Sequence, residues 1–227
     1  SRQSVQLTSI GKDLLDRAKY LLRDLDDFCD LAKSAGSMLG GTLRLGVAPT
    51  VGPYLLPHVI PQLHKKFPKL KLYVREDRSL DLEHSLRSGH HDLLLTALPL
   101  LDKNFVVKVL YDEPLMVGLS KGHPLADKKK IEPEDLRGEA VLSLGAGHRL
   151  YEQVHELCQK FGATVQSDYE GTSLDTLRQM VGMGMGISFF PSLYVRSEMA
   201  NDHQVIAKPM DSQAMRRQVG LVWRQNS

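Results

Sequence analysis

Three side chains that could bind a ligand or take part in a reaction lie close together in the sequence: His148, Arg149 and Cys158. If the residues that follow His148 form a helix, all three fall within about three helical turns. Histidine exchanges protons and binds metals, arginine binds anions, and a cysteine thiolate reacts with peroxides. The segment therefore allows metal binding, anion binding or thiol chemistry, and the surrounding sequence has to decide among them.

Metal binding and enzymatic motifs have little support. His155 could join His148 and Cys158 as a ligand, but neither a second cysteine pair nor a nearby carboxylate completes a metal shell. No Gly-x-Ser-x-Gly or His-Glu-x-x-His motif occurs. The glycine-rich residues 182–186 follow a predicted helix and precede a predicted strand, the reverse of a dinucleotide-binding turn. We predict that the chain is not an enzyme and holds neither metal nor cofactor.

Composition is that of an ordinary soluble globular protein. It has 227 residues, 42% hydrophobic and 25% charged, which is enough for one large or two small domains. A net charge of +2 does not by itself indicate nucleic-acid binding. No apolar run approaches the roughly 20 residues of a membrane span, no signal-peptide pattern opens the sequence, and two distant cysteines make no disulfide framework. We expect a cytoplasmic protein without membrane contact.

The first forty residues differ from the rest. A helix is predicted from about Gly11 to Ser34, with Ser9 as its N-cap. Its apolar positions are spaced by three and four residues, as in a heptad seam: Leu14, Ala18, Leu21, Leu25, Phe28 and Ala32. The seam predicts self-association through a partner helix, and the alternative is packing against its own domain. Small and glycine-rich residues then form a linker, so that residues 1–40 comprise a linker helix and a Gly-rich linker.

Strands alternate with helices in the remainder, which predicts parallel βαβ units. Strands are predicted at residues 42–47, 71–74, 92–97, 106–110, 115–119, 140–144, 164–169, 187–191, 205–206 and 219–223. Helices are predicted at residues 53–67, 80–88, 133–136, 150–161 and 174–181. The expected fold is α/β, with two Rossmann-like lobes that form a clamshell. We assign residues 41–115 plus 216–227 to subdomain I and residues 116–215 to subdomain II.

Ligands of such sheets bind where strands end and helices begin, between the lobes. The residues at these places are Thr50, Val51, Gly52, Thr96, Ala97, Gly147, His148, Arg149, Thr172 and Ser173. Free N–H groups at helix N-termini favour a small anion or a polar group as the ligand. The alternative for Thr50 and Ser173 is that each side chain only caps its helix.

Several segments resemble known proteins. Residues 7–11, 41–46 and 184–191 resemble the linker helix and effector domain of LysR-type transcriptional regulators. Residues 49–58, 111–114 and 172–178, together with Gly147, His148, Gln153 and Cys158, are similar to the peroxide-responsive OxyR subfamily. The resemblance implies a fold of the periplasmic-binding-protein type, a homodimer or tetramer, and transcription activation in the oxidative stress response. It also implies DNA binding through a winged helix-turn-helix that would precede residue 1, and contact with RNA polymerase.

One position departs from that subfamily. OxyR-type regulators carry their peroxide-reactive cysteine directly after the histidine of the Gly-His pair, where this chain has Arg149, and Cys158 matches the resolving cysteine. Arginine cannot form a sulfenic acid, so no disulfide with Cys158 can act as a switch. The resemblance then implies either a sensor of a small molecule or anion held by Thr50, His148 and Arg149, or a protein fixed in one state.

Two other functions stay open on the sequence. A clamshell solute-binding protein shares the expected fold, although the seam helix does not belong to that class. A thiol-based peroxide sensor or thiol peroxidase would have to use Cys158 alone, which lies on the apolar face of its predicted helix. A buried thiol in that position is usually protonated and unreactive.

Overall fold

The computed structural model of the chain describes residues 6–33, 41–210 and 212–225. Helix α1 (Ser9–Lys33) confirms that a helix forms where the sequence predicts one at 11–34, whereas the predicted linker at 34–40 lies outside the described residues. Thr8 rather than Ser9 caps the helix, because its Oγ1 accepts from the backbone N–H of Gly11 at 3.0 Å. The seam side chains Leu14, Leu21 and Leu25 are exposed; those of Phe28 and Ala32 lie outside the described side chains.

A mixed sheet forms the centre of the molecule. Strands β1 (Gly41–Val47), β2 (Leu70–Glu76) and β3 (Leu93–Ala97) are parallel, as the βαβ pattern predicts, and helices α2 (Gly52–Lys66) and α3 (Ser79–Arg87) connect them. Strand β9 (Arg216–Arg224) pairs antiparallel with β3. The C-terminal strand therefore returns to the sheet that the first strands build.

Strand β4 (Phe105–Ser120) corrects the sequence prediction, which placed two separate strands at 106–110 and 115–119. Its first part pairs with β9, with a bulge between Val109 and Tyr111, and its last part pairs with β7 (Ser188–Pro191) and β8 (Val205–Lys208). The polar residues and Pro114 between the predicted strands have the composition of a turn, yet β9 supplies hydrogen-bond partners through this stretch. One continuous strand thus crosses from one half of the molecule to the other.

The second half repeats the βα theme on a smaller scale. Strands β5 (Ala140–Leu144) and β6 (Thr164–Gly171) are parallel, and helix α4 (Arg149–Phe161) connects them. Helix α5 (Leu174–Gly182) and the one-turn helix α6 (Ser192–Tyr194), which continues as a π-helical turn (Val195–Met199), complete this half. The 3₁₀ turns are Pro124–Asp127, Pro133–Leu136 and Gln213–Met215.

Two hydrophobic clusters define two lobes. The first lobe packs around residues such as Val47, Leu82, Leu94 and Val222, all fully buried. The second packs around residues contributed between Leu115 and Met215. We keep the boundaries 41–115 plus 216–227 and 116–215 as our proposal for the two subdomains. Among the described residues, no helix is both long and apolar enough to cross a membrane.

Candidate functional site

The turn between β5 and α4 places the histidine and arginine that the sequence singles out. Gly147 has φ +96°, a left-handed conformation that glycine adopts without strain, and it redirects the chain from the strand into the helix. His148 is the extended N-cap residue, with φ −90° and ψ 133°, and Arg149 is the first helical residue. Their side chains consequently leave the turn on different sides.

A cavity of about 350 Å³ lies between the two lobes, at the small end of the usual size range of ligand pockets. Its lining residues come from both lobes: Pro49, Thr50, Pro53, Tyr54, Glu76, Leu144, His148, Thr172, Ser173, Leu174, Asp175 and Glu198. The structure thus brings together four residues of the predicted effector set, namely Thr50, His148, Thr172 and Ser173. We call this cavity the inter-lobe cleft.

Three other residues of the predicted effector set, Val51, Gly52 and Thr96, do not line the inter-lobe cleft. Val51 is fully buried in the first core, and Thr96 is 1% exposed, with its Oγ1 directed at the carbonyl oxygen of Ala97. A Cβ on Gly52 would approach Cγ2 of Val47 to 2.6 Å, so this glycine serves close packing between α2 and β1. These residues support the cleft through the backbone and the first core.

Arg149 lines a second, much smaller space. This space, of about 10 Å³, has room for at most one water molecule. It is lined by both lobes: Ser79, Leu80, Glu83, Ala97, Pro99, Leu100, Leu101, Gly147, Arg149 and Glu152. The guanidinium of Arg149 pairs with Glu152 on the same helix, and its backbone N–H donates to Ser79 Oγ of the first lobe at 3.3 Å.

Thr50 is held in place by a buried ion pair. Arg217 on β9 donates from Nη1 to Thr50 Oγ1 at 3.0 Å and from Nη2 to the carbonyl oxygen of Thr50 at 2.8 Å. The same guanidinium donates from Nε to Glu113 on β4 at 2.8 Å. The other carboxylate oxygen of Glu113 accepts from the backbone N–H of Leu193 in the second lobe at 3.0 Å. The hydroxyl of Thr50 therefore does not cap α2, whose N-cap is Val51.

Ser173 does cap its helix. Its Oγ accepts from the backbone N–H of Thr176 at 3.2 Å, at the start of α5. The exposed side chain also lines the inter-lobe cleft, so capping and ligand contact are compatible at this residue. Thr172 precedes it and is exposed in the same wall.

Carboxylates set the charge of the cleft. Burial lowers the pKa of His148, and the positive charge of Arg78 lowers it further, which favours the neutral imidazole at pH 7. Burial raises the pKa of Tyr54, and the charges of Asp175, Glu198 and Glu76 act in the same direction. The cleft therefore combines three carboxylates with neutral polar groups and one aromatic ring.

Cys158 lies outside both spaces. Its side chain is 3% exposed within the core of the second lobe, and burial raises the pKa of the thiol to about 11. At neutral pH the group is a thiol, not the thiolate that reacts with peroxide. The predicted position on the apolar face of the helix is confirmed.

Comparison with known proteins identifies the fold family. The model of the LysR substrate binding domain matches residues 36–227. The chain belongs to this family. It is 38% identical over 225 residues to the "DNA-binding transcriptional dual regulator OxyR" of Escherichia coli strain K12, which covers 99% of this chain and 73% of the relative.

Solved structures agree with this assignment. The reduced form of OxyR is 39% identical, with a TM-score of 0.75 over 83% of this chain and 88% of that chain. A full-length OxyR variant from Pseudomonas aeruginosa is 34% identical, with a TM-score of 0.77, covering 99% of this chain and 72% of that chain. The predicted two-lobed fold of the periplasmic-binding-protein type is confirmed, as is the assignment to the regulatory domain of an OxyR-like LysR-type regulator. The relatives are transcriptional regulators rather than enzymes.

Sequence reasoning missed the groups that give this LysR-type cleft its charge and its support. Glu113 and Arg217 carry one usable signal, since each has apolar residues two positions away on both sides: Tyr111 and Leu115, and Met215 and Val219. Glu76 directly ends a strand, so the strand-end rule would have found it. Glu198 belongs to a π-helical turn and has no local signal.

Proposed function

We propose that this chain is the effector-sensing part of a DNA-binding transcription regulator that responds to a small molecule in the inter-lobe cleft and not to thiol oxidation. The observation that supports this most directly is the placement of Arg149. At the position where OxyR-type regulators carry their peroxide-reactive cysteine, the guanidinium is paired with Glu152 in a space too small for a ligand. The remaining thiol described, Cys158, is buried and protonated.

The inter-lobe cleft offers a route from binding to regulation. Its walls come from both lobes. Tyr54 of the first lobe, which lines the cleft, packs edge to face against the buried ring of Tyr194 in the second lobe, with centroids 5.1 Å apart. A ligand that binds one arrangement of the lobes more tightly than another shifts the population toward it. In our proposal this shift passes to α1 and then to DNA.

The proposed assembly follows from the exposed seam of α1. We propose that two copies of this chain pair through these apolar side chains, as a dimer or within a tetramer. DNA binding through a winged helix-turn-helix that precedes residue 1, contact with RNA polymerase, and activation in the oxidative stress response follow from the likeness to OxyR. A regulator of this kind works in the cytoplasm, where the DNA is.

A regulator fixed in one state is the second candidate. The hydrogen bond from Arg149 N to Ser79 Oγ joins the first turn of α4 to the first turn of α3, and the ion pair to Glu152 fills the adjoining space. The hydrogen bond to Ser79 joins the lobes independently of any ligand. In that case the protein would regulate through its abundance alone.

The decisive experiment exposes the purified chain to hydrogen peroxide and follows its intact mass, with the second cysteine of the sequence removed by Cys29→Ser. In parallel, a reporter gene follows transcription by the full regulator in cells. We expect no added oxygen, no disulfide and no change in transcription. Oxidation at Cys158 together with a transcriptional response would instead establish the thiol-based sensor, and catalytic loss of peroxide would establish a thiol peroxidase. A monomeric chain that binds solutes without any effect on transcription would favour the solute-binding protein.

A further inference from the structure

We infer that the effector of the inter-lobe cleft is a small organic cation that carries an ammonium or amidinium group. This inference rests on the proposed function, which supplies the cleft as a ligand site, and it names the chemical class of the ligand. It reverses the expectation of an anion that helix N-termini and Arg149 raised from the sequence.

The charges of the cleft come from both sides. Glu76 ends strand β2 in the first lobe, whereas Asp175 in the first turn of α5 and Glu198 in the π-helical turn belong to the second lobe. No lysine or arginine lines the cleft in the part of the chain that the structure describes. An anion entering this space would therefore meet three carboxylates without a counter-charge in the wall.

Two arginines that act on cleft residues from outside the wall, Arg178 and Arg78, are committed to other groups. Arg178 lies 3.8 Å from Asp175, but the same guanidinium pairs with the largely buried Asp202 and donates to the hydroxyl of Tyr194 at 3.1 Å. Arg78 donates from Nε to Asp81 at 3.1 Å. Neither arginine neutralises Glu76 or Glu198.

Arg149 does not serve as the anion-binding residue of the cleft. Its guanidinium pairs with Glu152 and lines the small space beside α3. Among the lining residues of the cleft that the structure describes, the one basic side chain is therefore the imidazole of His148. Burial and Arg78 hold the pKa of that imidazole below its usual range, so it stays uncharged at pH 7.

The neutral part of the wall also suits an organic cation. The half-buried ring of Tyr54 lines the cleft, and aromatic rings attract ammonium groups. Pro49, Pro53 and Leu144 offer apolar surface to the carbon skeleton of such a ligand. Thr172 and Ser173 add hydroxyl oxygens that accept hydrogen bonds from N–H donors. The cleft thereby suits both the charged amino group and the apolar carbon skeleton of a small amine.

Such a ligand would also act on the lobes. Glu76 on one lobe repels Asp175 and Glu198 on the other, and a cation placed among them turns this repulsion into attraction. Binding would then favour the arrangement in which the lobes approach each other. The three carboxylates that select a cationic ligand would thus also couple its binding to a movement of the lobes.

Three probes of one shape and different charge test this inference: benzylamine, benzyl alcohol and benzoate. Each is titrated into the chain at pH 7, and binding is followed by NMR chemical shifts of the cleft residues and by calorimetry. We expect benzylamine to bind at the cleft, benzoate not to bind, and benzyl alcohol to bind more weakly than benzylamine. Glu76→Gln and Glu198→Gln should each weaken benzylamine binding by roughly tenfold, as expected for loss of a charged hydrogen-bond partner.

Matched controls separate the possible failures. Glu156→Gln removes an exposed carboxylate of α4 outside the cleft and should leave benzylamine binding unchanged. Preference for benzoate or benzyl alcohol at the cleft would overturn the cationic class and leave the small-molecule sensor intact. Absence of any cleft shift with all three probes would overturn both the cationic class and the cleft as a ligand site. Equal weakening by Glu156→Gln would show that benzylamine responds to net charge only, which also overturns the inference.

Discussion

Glu113 and Arg217 face each other across strands β4 and β9 and form an ion pair that is almost completely excluded from solvent, with the two side chains 1% and 0% exposed. The pair connects three parts of the molecule. Arg217 binds both oxygens of Thr50 in the first lobe, and Glu113 accepts from Leu193 in the second lobe. The lobes of this regulator therefore share a buried polar centre directly behind the inter-lobe cleft.

Substitution of Glu113 by glutamine should be strongly destabilising. The change keeps the shape of the side chain but leaves the buried charge of Arg217 without a counter-charge, which costs about 3–5 kcal/mol of unfolding free energy. Urea denaturation measures this loss. The exposed Glu156→Gln serves as the control and should stay within about 0.5 kcal/mol of the parent protein.

The double variant Glu113→Gln with Arg217→Met tests whether the two charges act as a pair. Because the second change removes the orphaned charge, the double variant should lose less stability than the sum of the two single variants. Losses that simply add, or a loss below about 1 kcal/mol for Glu113→Gln, would contradict the buried pairing.

Cys158 should react slowly in the folded protein. With a pKa of about 11, roughly one thiol in a thousand is ionised at pH 8, and the surrounding core also blocks access. In a Cys29→Ser background, iodoacetamide should label Cys158 far faster in urea than in buffer. Equal rates in both conditions would show that the second core opens readily.

Arg149→Cys should create a thiol that peroxide oxidises. The substitution places sulfur at the first residue of α4, where free N–H groups stabilise a thiolate, and beside the hydroxyl of Ser79. In the Cys29→Ser background, intact mass should increase by one oxygen after brief peroxide treatment. Arg149→Ser is the matched control and should not gain oxygen.

The product of that reaction is also predictable. Residues 149 and 158 are separated along α4 by about 13 Å, well beyond disulfide reach. We therefore expect a sulfenic acid while α4 stays folded. Rapid formation of a disulfide with Cys158 would show that α4 unwinds easily.

The sequence predicted those elements whose signals are local. The periodic apolar residues of α4 predicted a helix at 150–161, and the structure has Arg149–Phe161. The strand-end rule likewise found Thr50, His148, Thr172 and Ser173. In contrast, β4 was divided in two because its pairing with β9 joins residues more than a hundred positions apart.

The charge of the cleft was missed for the same reason. Glu76, Asp175 and Glu198 are distant in sequence and become a group only when the two lobes face each other. Arg149 drew the expectation of an anion because it is the cation nearest to His148 in sequence. The helix turns its guanidinium toward Glu152 and away from the cleft.

The seam of α1 should drive self-association. Leu14, Leu21 and Leu25 are 63%, 66% and 57% exposed, and their apolar surface is removed from water when two helices pair. Leu14→Lys with Leu21→Lys should reduce the molar mass measured by sedimentation equilibrium. Asp13→Lys adds a lysine to the same helix off the seam and should leave the mass unchanged. A mass that is insensitive to the seam changes would place the interface elsewhere.

Because of His148, the unfolding free energy should decrease in mild acid. Its folded pKa lies below the unfolded value because of burial first and the charge of Arg78 second, while Glu170 opposes the shift. As pH falls below about 6.5, the unfolded chain therefore takes up a proton before the folded chain does, and the unfolding free energy decreases down to the folded pKa. His91 is shifted in the same direction by its own burial and contributes similarly. Urea denaturation between pH 7 and pH 5 should show a shallower decline for His148→Gln than for the parent protein, and His91 contributes to the slope that remains. An unchanged slope would contradict this prediction, because it would mean that protonation of His148 does not differ between the folded and unfolded states.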